Sequence, residues 1–153
     1  MPNARQENEL DRLEEFIDDW FVDQLDENPV IDSVEREAGD SRRWFVRMRG
    51  DEKDFVTIRL HLQQRTLAYE TYVMPAPEEN HAELYAYLLR RNGKLFGASF
   101  GIGDEEGIFL SGALHNDLIE TEGELDRVIG SLYVWVEQFF PSAIRIGFTS
   151  KFS

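Results

Sequence analysis

The sequence predicts an α+β protein in which helices pack on a five-stranded antiparallel sheet, with the element order α-β-β-β-α-β-β-α. Two periodicities support this class. Apolar residues recur every three or four positions near both ends of the chain, as in amphipathic helices. Between Ser33 and Met74 they alternate with polar residues, as in half-buried strands. Prolines, glycines and helix-capping residues separate these segments.

An amphipathic first helix is predicted between Glu7 and Glu27, and Asn28-Pro29 ends it. Its apolar residues form one stripe that packs on the core, and its many carboxylates form an acidic outer face. We expect Trp20 in this stripe to be largely buried. The stripe consists of Leu10, Leu13, Phe16, Ile17, Trp20, Phe21 and Leu25.

Three strands follow as an antiparallel meander, centred on RRWFVRMRG, DFVTIRLHLQ and RTLAYETYVM. One face of the meander is aliphatic and belongs to the core. The other face is mixed and carries Arg47, Arg49, Arg59, His61, Glu70 and Tyr72. Cross-strand pairing of arginine with glutamate and stacking on tyrosine is one interpretation of this face. The other is a shallow surface for an acidic or extended ligand, such as the acidic helix of another chain, bound by Arg47, Arg59, Glu70 and Tyr72.

The second half begins where Pro75 and Pro77 end the sheet. Asn80 with Glu83 then forms a capping box for a short helix. Asn92-Gly93 predicts a left-handed end for that helix. The apolar stripe of this helix is predicted to be Ala82, Tyr85, Leu88 and Leu89.

A hairpin follows, with its turn at residues 103–107, and a second capping box at Thr121 and Glu124 opens a long amphipathic helix. That helix is predicted to bury Phe139 and to stop at Pro141. The remaining residues, 141–153, form a tail that either packs as an extended arm or frays.

Length and composition limit the functions that this protein can have. The 153 residues fit one domain, residues 1–153, with a core at about 8–140. The absence of cysteine excludes disulfides, thiolate catalysis and cysteine-based metal sites. A net charge of −14 disfavours nucleic acid and anionic membranes. The chain has no signal-peptide pattern and no apolar run of membrane-spanning length, so a cytoplasmic protein without membrane association is expected.

No catalytic, metal or cofactor constellation is recognisable. The histidines His61, His81 and His115 do not occur at the i,i+4 spacing of helical metal sites. The glycines of FGIGDEEG join two predicted strands, whereas a dinucleotide-binding loop joins a strand to a helix. We therefore expect no cofactor and no bound metal.

Three segments together resemble the YbjN family of bacterial regulators in its actinobacterial form: Trp44, the run YVMPAPEENHAELYAYLLRRN from Tyr72 to Asn92, and ELDRVIGSLYVWVE from Glu124 to Glu137. The resemblance spans roughly Leu10 to Phe140. It implies a fold like that of the type III secretion chaperones, and a protein without enzymatic activity that pairs with itself and binds protein segments. It brings no catalytic residues.

A homodimeric, non-enzymatic regulatory or chaperone-like module is therefore predicted, with an unidentified protein as its partner. Within it, the middle helix is the expected self-pairing element, through Tyr85, Tyr87 and Leu88. The alternative is a small-molecule sensor or enzyme whose site is assembled across the sheet. A deep cleft with converging polar groups would favour that alternative, and a broad groove or an exposed apolar patch would favour the binding module.

Overall fold

The computed structural model describes residues 4–37, 39 and 41–152, and within them one antiparallel sheet of six strands and three α-helices. The elements are, in order, α1 (Ala4–Glu27), β1 (Ile31–Arg36), β2 (Arg43–Arg49), β3 (Phe55–Leu62), β4 (Thr66–Met74), α2 (His81–Asn92), β5 (Ser99–Ile102), β6 (Ile108–His115) and α3 (Glu124–Gly147). The strands lie in the order β1-β2-β3-β4-β6-β5. The α+β class is confirmed.

The prediction of five strands is wrong, because β1 adds a sixth strand at one edge of the sheet. Its sequence, IDSVER, has only two apolar residues, and the structure buries only Ile31. A half-solvated edge strand has little need for alternating apolar residues. The composition of β1 therefore does not identify it as a strand. Its backbone pairing with β2 does, with one irregularity between Ile31 and Ser33.

The inner face of the sheet forms the core, as the alternation in the sequence predicted. Trp44, Val46, Val56, Ile58 and Leu67 are fully buried. Helix α1 buries a stripe against this face, and α3 buries a longer one. The residues of these stripes are Leu10, Leu13, Ile17 and Phe21 in α1, and Leu125, Val128, Ile129, Leu132 and Val136 in α3.

Two aromatic residues expected in the core lie at its rim. Trp20 and Phe139 are only partly buried. Trp20 is displaced by one position from the stripe that ends at Phe21, and its ring meets the edge of the Phe21 ring at 5.1 Å. Phe139 makes a similar contact with Phe100 at 6.0 Å. Trp20 and Phe139 thus lie at the edges of their helical stripes, where only one side of each ring is buried.

Part of the acidic surface of α1 faces the sheet. Arg42, held at a positive φ of 51°, reaches Asp11 at 2.7 Å and Glu14 at 3.2 Å. The indole nitrogen of Trp44 donates to Asp18 at 2.8 Å. These contacts fix the orientation of α1, so its carboxylates are not all solvated as the sequence predicted.

Helix α3 continues through Pro141 to Gly147, which contradicts the predicted stop and the predicted tail. Proline removes one backbone donor, and tertiary contacts compensate beyond it. Ala143 and Gly147 are buried. The carbonyl of Gly147 accepts the backbone N–H groups of Glu78 and Glu79, at 3.0 and 3.1 Å.

Both predicted capping boxes are wrong, although the bounds of α2 are close to those expected. Asn80 has a left-handed backbone, with φ of 55°, and its side chain does not cap α2. Its amide instead donates to the Ile146 carbonyl at 2.9 Å and to Thr149 at 3.1 Å. Helix α3 begins after Gly123, beyond Thr121.

The end and the stripe of α2 also differ from the prediction. Gly93 has a right-handed backbone, with φ of −66°, so the predicted left-handed end is absent. The buried residues are Leu84 and Leu88, and Leu89 is 66% exposed. Contact with α3 turns the helix so that this pair faces inward.

We therefore expect Asn80→Ala to lower the free energy of unfolding by about 1–2 kcal/mol, through two lost hydrogen bonds and a left-handed backbone that alanine disfavours. Asn80→Gly loses only the hydrogen bonds and should be milder. Thr121→Ala should stay within about 0.5 kcal/mol. Urea unfolding of the three variants measures these differences, and equal losses at positions 80 and 121 would contradict this assignment.

Candidate functional site

The outer face of the sheet is the strongest candidate site. The described helices lie on the inner face, so side chains on the outer face stay exposed or half-exposed. Strand pairing aligns Phe45 with Arg59, Arg59 with Glu70, and Glu70 with Ser111. The sequence assigned Arg59 and Glu70 to this face by period-2 alternation alone, and the register now makes them direct cross-strand neighbours.

A shallow depression of about 530 Å³ lies along this row. It forms because the small residues Ala68 and Ser111 stand beside the much larger Phe45 and Arg59. Gly112, the neighbour of Ser111, is on the core side of the strand, where a Cβ would lie 2.8 Å from the Tyr69 ring. The depression is also lined by Glu37, Arg43, Leu60, His61, Tyr69 and Glu70. Sequence reasoning gave no sign of this depression, because it depends on which small residues the register brings together.

The arginines of this face are already paired within the protein. Arg59 contacts Glu70 at 2.6 Å, as the cross-strand interpretation predicts. The Arg47 guanidinium lies 3.5 Å from the centre of the Phe55 ring, so it stacks on phenylalanine and not on tyrosine. Arg47 also approaches Asp32 at 3.8 Å. Both arginine side chains remain 49% exposed, which leaves their outer surfaces open to a ligand.

Tyr72 lies on the same face, in an aromatic pair with Phe109. The two rings are 5.4 Å apart, and the Arg59 guanidinium is 5.9 Å from the centre of the Phe109 ring. Phe109 therefore joins Tyr72 to the Arg59–Glu70 pair. Arg47 lies on β2, the strand next to the one that carries Arg59, and its side chain contacts Phe55. The four residues predicted to bind a partner thus share one surface without converging on one point.

Three titratable groups that line the depression have shifted pKa values, and burial raises the pKa of one of them, Tyr69. Burial, together with the nearby charge of Arg43, lowers the pKa of His61, so the imidazole is neutral at neutral pH. The nearby Ser41 hydroxyl and a hydrogen bond from Arg43 lower the pKa of Glu37, which keeps this carboxylate ionised. The charged groups of the depression thus satisfy one another in pairs, Arg43 with Glu37 and Arg59 with Glu70.

Both edges of the sheet are protected against the addition of another strand. At β5 the Asn92 side chain accepts from the Phe100 N–H at 2.7 Å and donates to the Phe100 carbonyl at 3.1 Å. These are two of the backbone groups that an added strand would need. At β1 the protection is an irregular register and charged side chains. The sequence placed Asn92 at a helix end and did not reveal this second role.

Of the three residues predicted for self-pairing, Tyr85 and Leu88 line a second groove, between α2 and β5, and Tyr87 does not. Tyr85 and Tyr87 are half-buried, but Leu88 is only 4% exposed and belongs to the core. Leu89, which was assigned to the buried stripe, is exposed instead. The groove has a volume of about 340 Å³ and is lined by Tyr85, Leu88, Leu89, Phe100, Gly101, Ile102 and Ile108.

Among the residues that the structure describes, no three histidines, aspartates or glutamates are grouped so that they could hold a metal ion. In the same part of the chain, none of the helices combines the length and the apolar character that crossing a membrane requires.

Comparison with known proteins connects this geometry to a family. The sequence model of the YbjN family, described as "Putative bacterial sensory transduction regulator", matches residues 9–144. An uncharacterized protein of Mycobacterium tuberculosis (strain ATCC 25618 / H37Rv) is 28% identical over 116 residues, which cover 76% of this chain and 63% of that protein. An uncharacterized protein of Mycobacterium leprae (strain TN) is 31% identical over 109 residues, which cover 71% of this chain and 59% of that protein. The match thus spans about three fifths of the length of these relatives.

A solved structure shares the fold. One chain of the heterodimeric complex ExoU-SpcU, from the type III secretion system of Pseudomonas aeruginosa, superposes with a TM-score of 0.52 and 13% sequence identity. The superposition covers 69% of this chain and 85% of that chain. At this level of identity the similarity concerns the fold alone.

Proposed function

Because this chain belongs to the YbjN family, whose sequence model matches residues 9–144, we propose that it is a non-enzymatic regulatory module that holds a segment of a protein partner and pairs with a second copy of itself. The similar chain in the type III secretion system comes from a heterodimeric protein complex, which supports a protein-binding role for this fold.

The observation that carries the binding role is the exposed cationic and aromatic surface on the outer sheet face of a protein whose net charge is −14. On the rest of the surface, the electrostatic field of this negative charge repels acidic segments. On this face Arg47, Arg59 and Tyr72 remain about half exposed. Since both sheet edges are protected, a partner binds through side chains on this face and not by strand addition. The segment that fits is acidic and amphipathic.

The ion pairs already present on this face can be replaced by ion pairs with a partner. Exposed pairs contribute about 0–1 kcal/mol each, so a carboxylate of the partner can replace Glu70 or Asp32 at little cost. The partner's apolar residues would then cover Phe45, Phe55 and the depression beside Phe45. Affinity should fall as the salt concentration rises, because the attraction is between solvent-accessible charges.

This surface does not favour the enzymatic alternative. A catalytic cleft needs polar groups that converge on a substrate with unsatisfied hydrogen-bonding capacity. Here Arg43 and Arg59 are each paired with a glutamate, and the depression is shallow and open. The groove between α2 and β5 is lined by apolar side chains and glycine.

Charge reversal tests the binding role. The variant Arg47→Glu/Arg59→Glu should reduce capture of the native partner at least about tenfold, because an acidic segment then meets repulsion on the face that attracted it. Partners are captured from the bacterium's own lysate, identified by mass spectrometry and quantified against the parent protein. Each lost pair should lower the free energy of unfolding by no more than about 1 kcal/mol.

The matched control is Arg5→Glu/Arg65→Glu, which changes the net charge equally at two exposed positions outside the depression. This control should capture as much partner as the parent. Undiminished capture by the Arg47/Arg59 variant would mean that the outer face is an internally paired surface without a binding role.

A further inference from the structure

A small cavity lies between α1 and the segment that connects β6 to α3, apart from the outer sheet face. Its volume is about 240 Å³. On one side it is lined by Phe16 and Trp20 of α1, and on the other by residues 119–123 and by Leu125 of α3. Pockets for drug-sized ligands begin at about 300 Å³, so this cavity has room only for a smaller molecule.

Two aromatic side chains form the wall of the cavity on α1. Phe16 and Trp20 are one helical turn apart, so they lie side by side on one face of the helix. The sequence assigned both residues to the buried stripe, yet both are only partly buried. Part of the surface that they leave uncovered lines the cavity and is available to a ligand.

The opposite side of the cavity carries the carboxylates of Glu120 and Glu122. Arg12 forms an ion pair with Glu120 and compensates its charge. Glu122 is exposed, and no cation among the described residues pairs with it. A ligand can enter beside Gly123, where an added Cβ would have no neighbour within 4 Å. The cavity therefore combines an aromatic wall, one uncompensated negative charge and an open side.

We propose that this cavity binds a small organic cation whose single charge is carried by an alkylated ammonium group. The face of an aromatic ring is negative, so tryptophan and phenylalanine attract cations, and tryptophan does so most strongly. The carboxylate of Glu122 supplies one opposite charge, which matches a monocation. The net charge of −14 adds to this attraction, because its field concentrates cations at the protein surface.

The apolar part of the wall favours an alkylated ammonium group over a primary one. A primary ammonium group has three N–H donors, which need acceptors when they leave water. The side chains of Phe16, Trp20 and Leu125 offer no acceptor. The methyl groups of an alkylated ammonium ion need none, and they pack directly against these side chains. A neutral molecule of the same shape would leave the attraction of Glu122 unused.

Titration with choline tests the proposal, with the indole N–H signals of the tryptophans in an NMR spectrum as the readout. The Trp20 signal should shift and saturate, while the signals of the fully buried Trp44 and of Trp135, which lies outside the cavity, should stay unchanged. The neutral analogue in which carbon replaces the ammonium nitrogen should bind at least about tenfold more weakly. Ethanolamine, the primary ammonium analogue, should bind at least about threefold more weakly than choline.

Two variants locate the site, with affinities measured by isothermal titration calorimetry. Trp20→Leu should lower the affinity for choline at least about fivefold, and Glu122→Gln at least about threefold. The matched controls are Trp135→Leu, at a partly buried position outside the cavity, and Glu106→Gln, at an exposed position in the β5–β6 turn. Both controls should bind choline like the parent. Thermal melts establish that each variant is folded, and Glu122→Gln keeps the test decisive if Trp20→Leu is not.

Absence of a saturable shift at millimolar choline would overturn the proposal, and so would equal binding of choline and its neutral analogue. A loss of affinity in the control variants as large as in the site variants would place choline elsewhere on the protein and would overturn it too. Partner capture by the outer sheet face is measured separately, so the failure of one proposal leaves the other standing.

Discussion

Replacing Leu132 or Leu60 with alanine is expected to lower the free energy of unfolding by about 2–5 kcal/mol. Each side chain is 1% exposed, and the two come from the opposite layers of the core, α3 and β3. Truncation removes buried methyl groups and leaves a cavity that the surrounding helix and sheet can fill only partly. Chemical denaturation with two-state fitting gives the value for each variant.

Leu25→Ala is the matched control, because this leucine lies in a helix and is 45% exposed. Its loss should stay below about 1 kcal/mol, since little apolar surface returns to water. Losses below 1 kcal/mol at both Leu60 and Leu132 would mean that the helices do not pack on the sheet as described.

Replacing Glu137 with alanine is expected to cost about 1–3 kcal/mol. The Glu137 carboxylate accepts the backbone N–H groups of Asp51, Glu52 and Lys53, the latter two at 3.1 Å, and so attaches the β2–β3 turn to α3. Gly50 leaves space for this contact, since a Cβ there would lie 2.6 Å from the carboxylate. Hydrogen bonds to a charged acceptor are stronger than neutral ones, so one side chain fixes a whole turn.

Glu137→Gln should lose less stability, because its amide oxygen still accepts hydrogen bonds but without the charge. Glu15→Ala, at an exposed position on α1, serves as the control and should be nearly neutral. Thermal melts rank the three variants, and hydrogen exchange at residues 51–53 reports on the turn directly. Unchanged protection of these amides in Glu137→Ala would show that the turn is held by its own backbone.

The candidate site was only partly accessible from the sequence. Alternation placed Arg47, Arg59, Glu70 and Tyr72 on one face, because the side-chain period of a strand is a local property. The depression next to Arg59 depends on the pairing of β4 with β6, which is long-range. The exposure of Leu89 likewise depends on how contact with α3 rotates α2 about its axis. The apolar residues of α2 form several similar stripes, so the sequence alone does not show which one faces the core.

The sequence by itself determined the α+β class, the aliphatic face of β2, β3 and β4, and the approximate bounds of most elements, but not those of β1 or of either end of α3. Those features follow from the spacing of apolar residues along the chain and from the backbone angles and hydrogen bonds that proline excludes. Both effects act within a few residues. Only the tertiary structure decided the sixth strand, the passage of α3 through Pro141 and the roles of Asn80, Asn92 and Glu137. Each of these depends on a polar or edge group that finds its hydrogen-bond partner in a distant segment, and such partners exist only once the chain has folded.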